Sequence, residues 1–279
     1  MANDASEIED KQTALSRRYG RGSVPAVGPW NRTIGLLLSH RSVRSYKPDD
    51  VPDGTFETLV AAAQSAATSS NMQTWSVVAV RDVALKAKFA EIANNQSHIE
   101  QCPLFLVWLA DLSRMARLER AEGVTLETLP YHETFLVAAI DAALAAQNAV
   151  IAAESLGLST VYIGALRNRP QEVAKALDLP TGCLAVFGLC VGYASEMADS
   201  QVKPRLPQTD IAFNEHYAIP DEIAIRAGYD LKMADFSKRH ELVQDTWTKR
   251  VFARMGKISA MNGRDTLSGA LKALGFPLR

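Results

Sequence analysis

Residues 134–168 read TFLVAAIDAALAAQNAVIAAESLGLSTVYIGALRN. The first two thirds, Thr134–Leu156, form one alanine-rich apolar stretch in which Phe135, Leu136, Val137, Ile140, Leu144, Val150 and Ile151 stand among small residues. Its polar residues Asp141, Asn148 and Ser155 recur every seven positions and make only a narrow stripe, so a helix here buries most of its circumference. An aspartate inside a bilayer costs a few kcal/mol, and alanine offsets little of that, which argues against a membrane span. Such a helix hides all its faces most easily with one side on its own sheet and the other on a second subunit. Ala145, in mid-helix, is expected to belong to that partner-facing apolar surface. The last third, STVYIGALRN, is a strand running into a glycine turn.

Outward from this centre, strands are expected at Trp75–Val80, Leu104–Ala110, Thr160–Ile163 and Leu184–Val191. Helices are expected at Trp30–Leu38, Thr55–Ala66 with Asp53 as its N-cap, Leu85–Ile92, Ser113–Ala121 and Gln171–Leu177. Strands and helices alternate without a regular βαβ count or an internal repeat, which places the chain in the α+β class. Residues 1–28 read as an N-terminal arm, and 29–279 as a single domain with an excursion from about 203, where the text turns proline-rich and extended. Cys183 and Cys190, seven apart on one strand, should point to opposite faces and not pair.

Composition narrows the chemistry. The 279 residues are 47% apolar with a formal net charge of −1, so there is no basic excess to hold a nucleic acid. Three scattered cysteines give no disulfide framework and no zinc ribbon and suit a reducing compartment. The polar start MANDASEIEDKQ is no secretory signal, which makes the cytoplasm the expected location. Gly20-Arg21-Gly22 is no dinucleotide fingerprint, because Pro25 stands at the third glycine and no strand precedes it. Neither a P-loop, GxSxG nor HExxH is present.

Three polar patches remain: Ser39-His40-Arg41-Ser42-Val43-Arg44; Ala67-Thr68-Ser69-Ser70-Asn71-Met72-Gln73-Thr74-Trp75; and Tyr162-Ile163-Gly164-Ala165, followed later by Lys203-Pro204-Arg205. Each alone reads as a solvated loop, but together they supply the cations and backbone donors that a phosphorylated planar ligand needs.

The order HRSVRSY, ATSSNMQTWSVV, NNQSH, AAQNAVIAAESLGLSTVYIGALRN, FGLCVGY and KPRLP resembles the nitroreductase superfamily of FMN enzymes, nearest the oxygen-insensitive nitroreductases and NAD(P)H-flavin oxidoreductases. The likeness runs from about Ile34 to Trp247. It implies a nitroreductase-like fold, with a mixed or antiparallel sheet flanked by helices, the long helix at a homodimer interface and an extended C-terminal arm. It implies FMN held through its phosphate by Arg41, Lys203 and Arg205, with His40 and Ser42 as added donors. Arg44 matches the cation beside flavin N1 and O2, where it stabilises the reduced ring. Ser70 and Gln73 match contacts to the ribityl chain and ring edge, and Gln96 matches a glutamine reaching from elsewhere. Tyr162, Ile163 and Gly164 match the backbone passing flavin N5, and Ala165 replaces a second glycine of that branch. Lys238 and Arg239, ahead of Asp245-Thr246-Trp247, correspond to cations toward an NADPH 2′-phosphate.

The activity implied is reduction of nitroaromatics, quinones or flavins by NADPH or NADH through ping-pong hydride transfer, with a small-molecule acceptor and neither nucleic acid nor membrane as partner. The alternatives are a flavin reductase supplying a partner monooxygenase, or a flavin-binding storage or sensing protein.

Overall fold

The computed structural model describes residues 10–20, 24–243 and 245–279. Arg21 and Gly22 of the glycine pair, and the first nine residues of the arm, lie outside them. The first half of the chain runs α1 (Lys11–Tyr19), α2 (Arg32–Ser39), α3 (Thr55–Gln64), β1 (Trp75–Val80), α4 (Val83–Ile92), α5 (His98–Gln101), β2 (Leu104–Asp111) and α6 (Ser113–Glu122). It continues with α7 (His132–Ser155), β3 (Ser159–Ile163), α8 (Pro170–Ala176), β4 (Cys183–Gly192), α9 (Glu222–Arg239), α10 (Trp247–Met255) and α11 (Leu267–Ala273). The sequence places the four strands and α2, α3, α4, α6, α7 and α8 to within a few residues, and gives no bounds for α1, α5, α9, α10 or α11. At α3 the expected Asp53 cap is absent: Gly54 holds the N-cap position at φ 77°, a left-handed backbone that only glycine adopts without cost, and no side chain caps the helix.

The chain divides into two compact units. The larger, residues 42–198 and 261–279, is built on a four-stranded antiparallel sheet in the order β1-β2-β4-β3. β2 (LFLVWLAD) is buried at every position, as a central strand with both faces covered must be. On one face lies α7, whose Ala145, Ala146, Ala149 and Ala153 sit in one cluster with Leu104, Leu106, Trp108, Leu189 and Val191. The other face carries Phe89 and Ile92 of α4, Ile99 of α5 and Val173 of α8 against Phe105, Val107, Val161 and Ile163. The sheet is thus the middle layer of an α+β unit. Phe105 lies so close to β4 that a Cβ on Gly188 would come within 2.2 Å of its ring.

α7 has the length and apolarity of a membrane span, with a mean hydropathy of 1.8 over its most apolar window. Six of its alanines (Ala138, Ala142, Ala145, Ala146, Ala149 and Ala153) and Asp141 are nevertheless buried within this unit. Ala145 is fully buried against the sheet, so it does not face outward as the sequence suggested. The outward apolar positions are Leu136, Ile140 and Leu144, four apart and each close to half exposed.

β4 is longer than its partner allows. Trp108 pairs with Phe187 and Leu109 with Ala185, leaving Val186 as an extra residue in a bulge. The Arg167 guanidinium donates to the Val186 carbonyl. The bulge reverses the alternation of faces, and Ala185 and Cys190 share a core cluster despite their odd separation. The parity argument for Cys183 and Cys190 therefore fails across it. Both thiols are still unpaired, since seven strand residues span roughly 23 Å.

The smaller unit comprises residues up to 41 and 199–260. Residues 10–19 of the expected arm are a helix with Asp10 accepting from the Thr13 amide at its N-terminus. Tyr229, Met233 and Phe236 of α9 form its centre with Leu206, Leu242 and Trp247. Arg250 of α10 donates to the buried Ser237 hydroxyl at 2.9 Å and fastens α10 to α9.

Candidate functional site

In the larger unit the segment after Ser42 is laid along the sheet. Ser42 bridges Thr160 in parallel, the Val43 amide donates to the Thr160 carbonyl at 3.0 Å, and Tyr46 bridges Ala194. Val43 and Tyr46 are buried, which leaves Arg44 between them exposed and in step with Tyr162, two residues beyond the bridge. The Tyr162 ring meets Phe187 edge-on at 5.1 Å, and its hydroxyl donates to Gln147 of α7 at 3.3 Å.

β3 ends at Ile163, and Gly164 opens a short 3₁₀ turn through Asn168. A Cβ at Gly164 would stand 3.2 Å from the Arg167 guanidinium, so a bare backbone is retained where the chain leaves the sheet. The Asn168 side-chain amide donates to the Ile92 carbonyl at 3.0 Å, which brings the loop carrying Gln96 to this same turn. Arg44, Gln96, Tyr162, Ile163 and Gly164 therefore share one end of the sheet.

His98, quoted in the NNQSH motif but given no role, belongs here too. It is 7% exposed, its Nε2 has no hydrogen-bond partner, and burial, then the positive charge of Arg44, pull its pKa down to about 4. The ring is neutral at physiological pH.

Ser70 and Gln73 are elsewhere. Their turn leads into β1, at the opposite edge of the sheet, three strand spacings or ~14 Å from β3. The turn is strained, with φ of 48° at Ser70, 54° at Asn71 and 54° at Gln73. It is fastened by Asp141, a buried carboxylate accepting from the Thr68 hydroxyl at 2.6 Å, the Ser69 amide at 3.2 Å and the Thr74 hydroxyl at 3.1 Å. From the sequence Asp141 was only part of a polar stripe; the signal that could have found it is a lone acid facing a hydroxyl-rich turn. One chain thus carries these two groups of candidate residues at opposite edges of its sheet.

In the smaller unit, two distant basic motifs converge. The carbonyls of Leu38 and His40 accept from the Arg18 guanidinium at 2.6 and 2.8 Å, and the Lys203 carbonyl accepts from it at 3.1 Å. The Arg205 amide donates back to the Arg18 carbonyl at 2.9 Å, and the Tyr229 hydroxyl donates to Pro204 at 2.8 Å. Every residue of Lys203-Pro204-Arg205 is therefore held by its backbone. Lys238 and Arg239 occupy the last turn of α9, exposed, with Arg239 paired to Asp235 at 3.2 Å.

Residues 37–193 match the nitroreductase family, and residues 203–279 match its C-terminal domain. The chain belongs to the nitroreductase family. Among its nitroreductase relatives is the FMN reductase (NADPH) of Bacillus subtilis, 35% identical over 251 residues, covering 88% of this chain and 98% of the relative. The oxygen-insensitive NADPH nitroreductase of Salmonella typhimurium is 35% identical over 221 residues, covering 78% of this chain and 89% of the relative. The solved NADPH:FMN oxidoreductase of Vibrio harveyi, complexed with NAD+, superposes with a TM-score of 0.79 at 30% identity, covering 89% of this chain and all of that one. The first 36 residues fall outside both nitroreductase matches.

The donor set fits the flavin nucleotide of the relatives' names. A phosphate dianion suits the cations of the His40-Arg41 and Lys203-Arg205 motifs. A planar ring suits an unencumbered backbone at Gly164 beside a fixed charge at Arg44.

Proposed function

We propose that this chain binds FMN and uses NADPH or NADH to reduce small-molecule acceptors of the nitroaromatic, quinone or free-flavin classes by alternate occupation of one pocket. The observation that carries this reading is the convergence of two basic motifs, His40-Arg41 and Lys203-Arg205, in a frame whose backbone bonds are already made. FMN supplies the two-electron chemistry when bound, and the protein positions and polarises it. Arg41, Lys203 and Arg205, with His40 and Ser42, hold the phosphate. Arg44 keeps a fixed positive charge at the pyrimidine side of the ring, where negative charge grows on reduction. Gln96 and the backbone of Tyr162, Ile163 and Gly164 line the ring, with Ala165 narrowing the substrate side. Ser70 and Gln73 bind the ribityl chain and ring edge. Lys238 and Arg239 serve the 2′-phosphate of NADPH, Arg239 exchanging Asp235 for it.

Ser70 and Gln73 lie across the sheet from Arg44 and Gly164, so one chain alone does not close this pocket around one flavin. A homodimer resolves the difficulty, with each pocket taking one half-site from each chain. The exposed row Leu136, Ile140 and Leu144 on α7 is the apolar surface available for that contact. Residues 29–279 then act as one cofactor-binding domain. The working compartment is the cytoplasm, in keeping with three unpaired cysteines.

The test is the visible spectrum of the purified protein, followed by anaerobic addition of NADPH and of NADH. A yellow protein with about one FMN per chain that bleaches rapidly is expected from the single phosphate-binding frame per chain. Apoprotein that takes up no added FMN ends the reading. A yellow protein that does not bleach identifies storage or sensing instead.

A further inference from the structure

Arg18 lies ahead of both family matches, on the helix α1 that the sequence presented as an appended arm, and yet it is among the most buried charged residues of the chain, at 6% exposure. Three of its hydrogen bonds go to backbone carbonyls. One guanidinium nitrogen serves Leu38 and His40 and another serves Lys203, 185 residues away in sequence, while the Arg18 carbonyl receives the Arg205 amide.

We propose that Arg18 is a positioning residue for the cofactor phosphate, and that α1 is through it a working part of the binding site. This rests on the assignment of Arg41, Lys203 and Arg205 to the FMN phosphate. A guanidinium is a rigid planar fork, so the two backbone segments bonded to it have a fixed spacing before any ligand arrives. That preorganisation removes ordering cost from binding. The charge acts in the same direction. A buried cation between segments that carry His40, Arg41, Lys203 and Arg205 adds to the positive potential there, which favours an anion. Arg18 and Arg205 both act electrostatically on the Tyr229 hydroxyl, so the two guanidinium groups share one neighbourhood.

α1 is secured for this task. Ala14 and Leu15 are buried beside Arg18, Asp10 caps the helix, and Lys11 Nζ donates to the carbonyls of Val27 and Gly28 at 2.8 and 2.9 Å, tying the helix to the chain that leads into α2.

The experiment compares full-length wild type, Arg18→Met, Arg18→Lys and Arg205→Ala, each stripped of flavin and titrated by fluorescence with FMN and with riboflavin, which lacks the phosphate. Turnover is then measured at saturating FMN. Arg18→Met keeps the apolar stem and loses both charge and donors. Its FMN dissociation constant should rise about tenfold or more, with riboflavin affinity and kcat unchanged within about twofold. Arg18→Lys should recover part of the loss, having charge but no fork.

Arg18→Met that binds FMN like wild type, or that loses FMN and riboflavin alike, overturns the proposal. If Arg18→Met does not fold, Arg18→Lys decides by the same criterion: loss confined to FMN supports the role, and loss of neither or of both overturns it. Arg205→Ala separates the levels. If it too binds FMN normally, the phosphate assignment itself has failed; if it loses FMN while the Arg18 variants do not, only the role of Arg18 has failed.

Discussion

Replacing Asp141 by alanine should release the turn that carries Ser70 and Gln73. The carboxylate accepts three hydrogen bonds from Thr68, Ser69 and Thr74, two of them from hydroxyls, and it is itself 2% exposed. Bonds to a charged acceptor contribute roughly 1.5–3 kcal/mol each. Thr74 is fully buried and loses its partner outright, whereas Thr68 is half-buried and Ser69 exposed, so those two groups recover water. Discounting them leaves a cost of about 3 kcal/mol, or roughly a 6–12 °C fall in melting temperature for a unit of this size. Asp141→Asn should cost about 1–2 kcal/mol, because the threonine hydroxyls can rotate to accept from the new amide. The strain at Ser70, Asn71 and Gln73 then loses its restraint, so flavin retention should fall further in the alanine variant than in the asparagine variant. Thermal melts and FMN titrations of the two variants check this. An alanine variant that melts within about 2 °C of wild type, with its flavin in place, refutes the view that Asp141 holds the turn.

Ile140→Glu places a charge in the exposed row on α7 without touching the core; light scattering should show a monomer, and the protein should be colourless at unchanged secondary structure. A yellow monomer with full turnover would dismiss the shared pocket. Arg44→Ala should shift the flavin midpoint potential about 30 mV more negative, while binding of oxidised FMN weakens less; equal potentials in a redox titration would leave Arg44 only a structural task. His98 has a folded pKa of about 4 against an ordinary value of 6.5, so the unfolded chain binds the extra proton and stability falls as pH drops from 6.5 toward 4. Urea unfolding at pH 7 and pH 5 should show wild type losing roughly 1–2 kcal/mol more than His98→Leu, and parallel losses would contradict the burial argument.

The strands and helices of the larger unit were legible because their patterns are local: β2 is an unbroken apolar run, and α7 an alanine-rich segment with one polar stripe. What sequence could not supply were features set by a partner strand or a distant residue. The bulge at Val186 exists because β4 carries one more residue than β2 can match, and nothing in FGLCVGY announces it. It overturned the face assigned to the cysteines. Ala145 was assigned outward because alanine is apolar enough for an interface and small enough for a core, and only the sheet beneath it decides between them. Arg18 resembled any basic residue of a charged arm, since the carbonyls that it serves carry no sequence signature. The motif residues Arg44, Gln96 and Tyr162 to Gly164 do come together, whereas Ser70 and Gln73 read as neighbours only because the order of motifs along a chain conceals which edge of a sheet each one occupies.

α7 touches both groups of candidate residues. Asp141 holds the turn before β1, and Gln147, six residues on, receives the Tyr162 hydroxyl at the far edge. At 1.5 Å per residue these two attachments stand ~9 Å apart along a single rigid rod. The rod rests on alanines, whose side chains are too short to lift it from the sheet. It therefore acts as a gauge: anything that raises or tilts it, such as a larger side chain at Ala145 or Ala149, displaces both edges together. The two halves of the proposed pocket are far apart within one chain, but they are calibrated against the same helix.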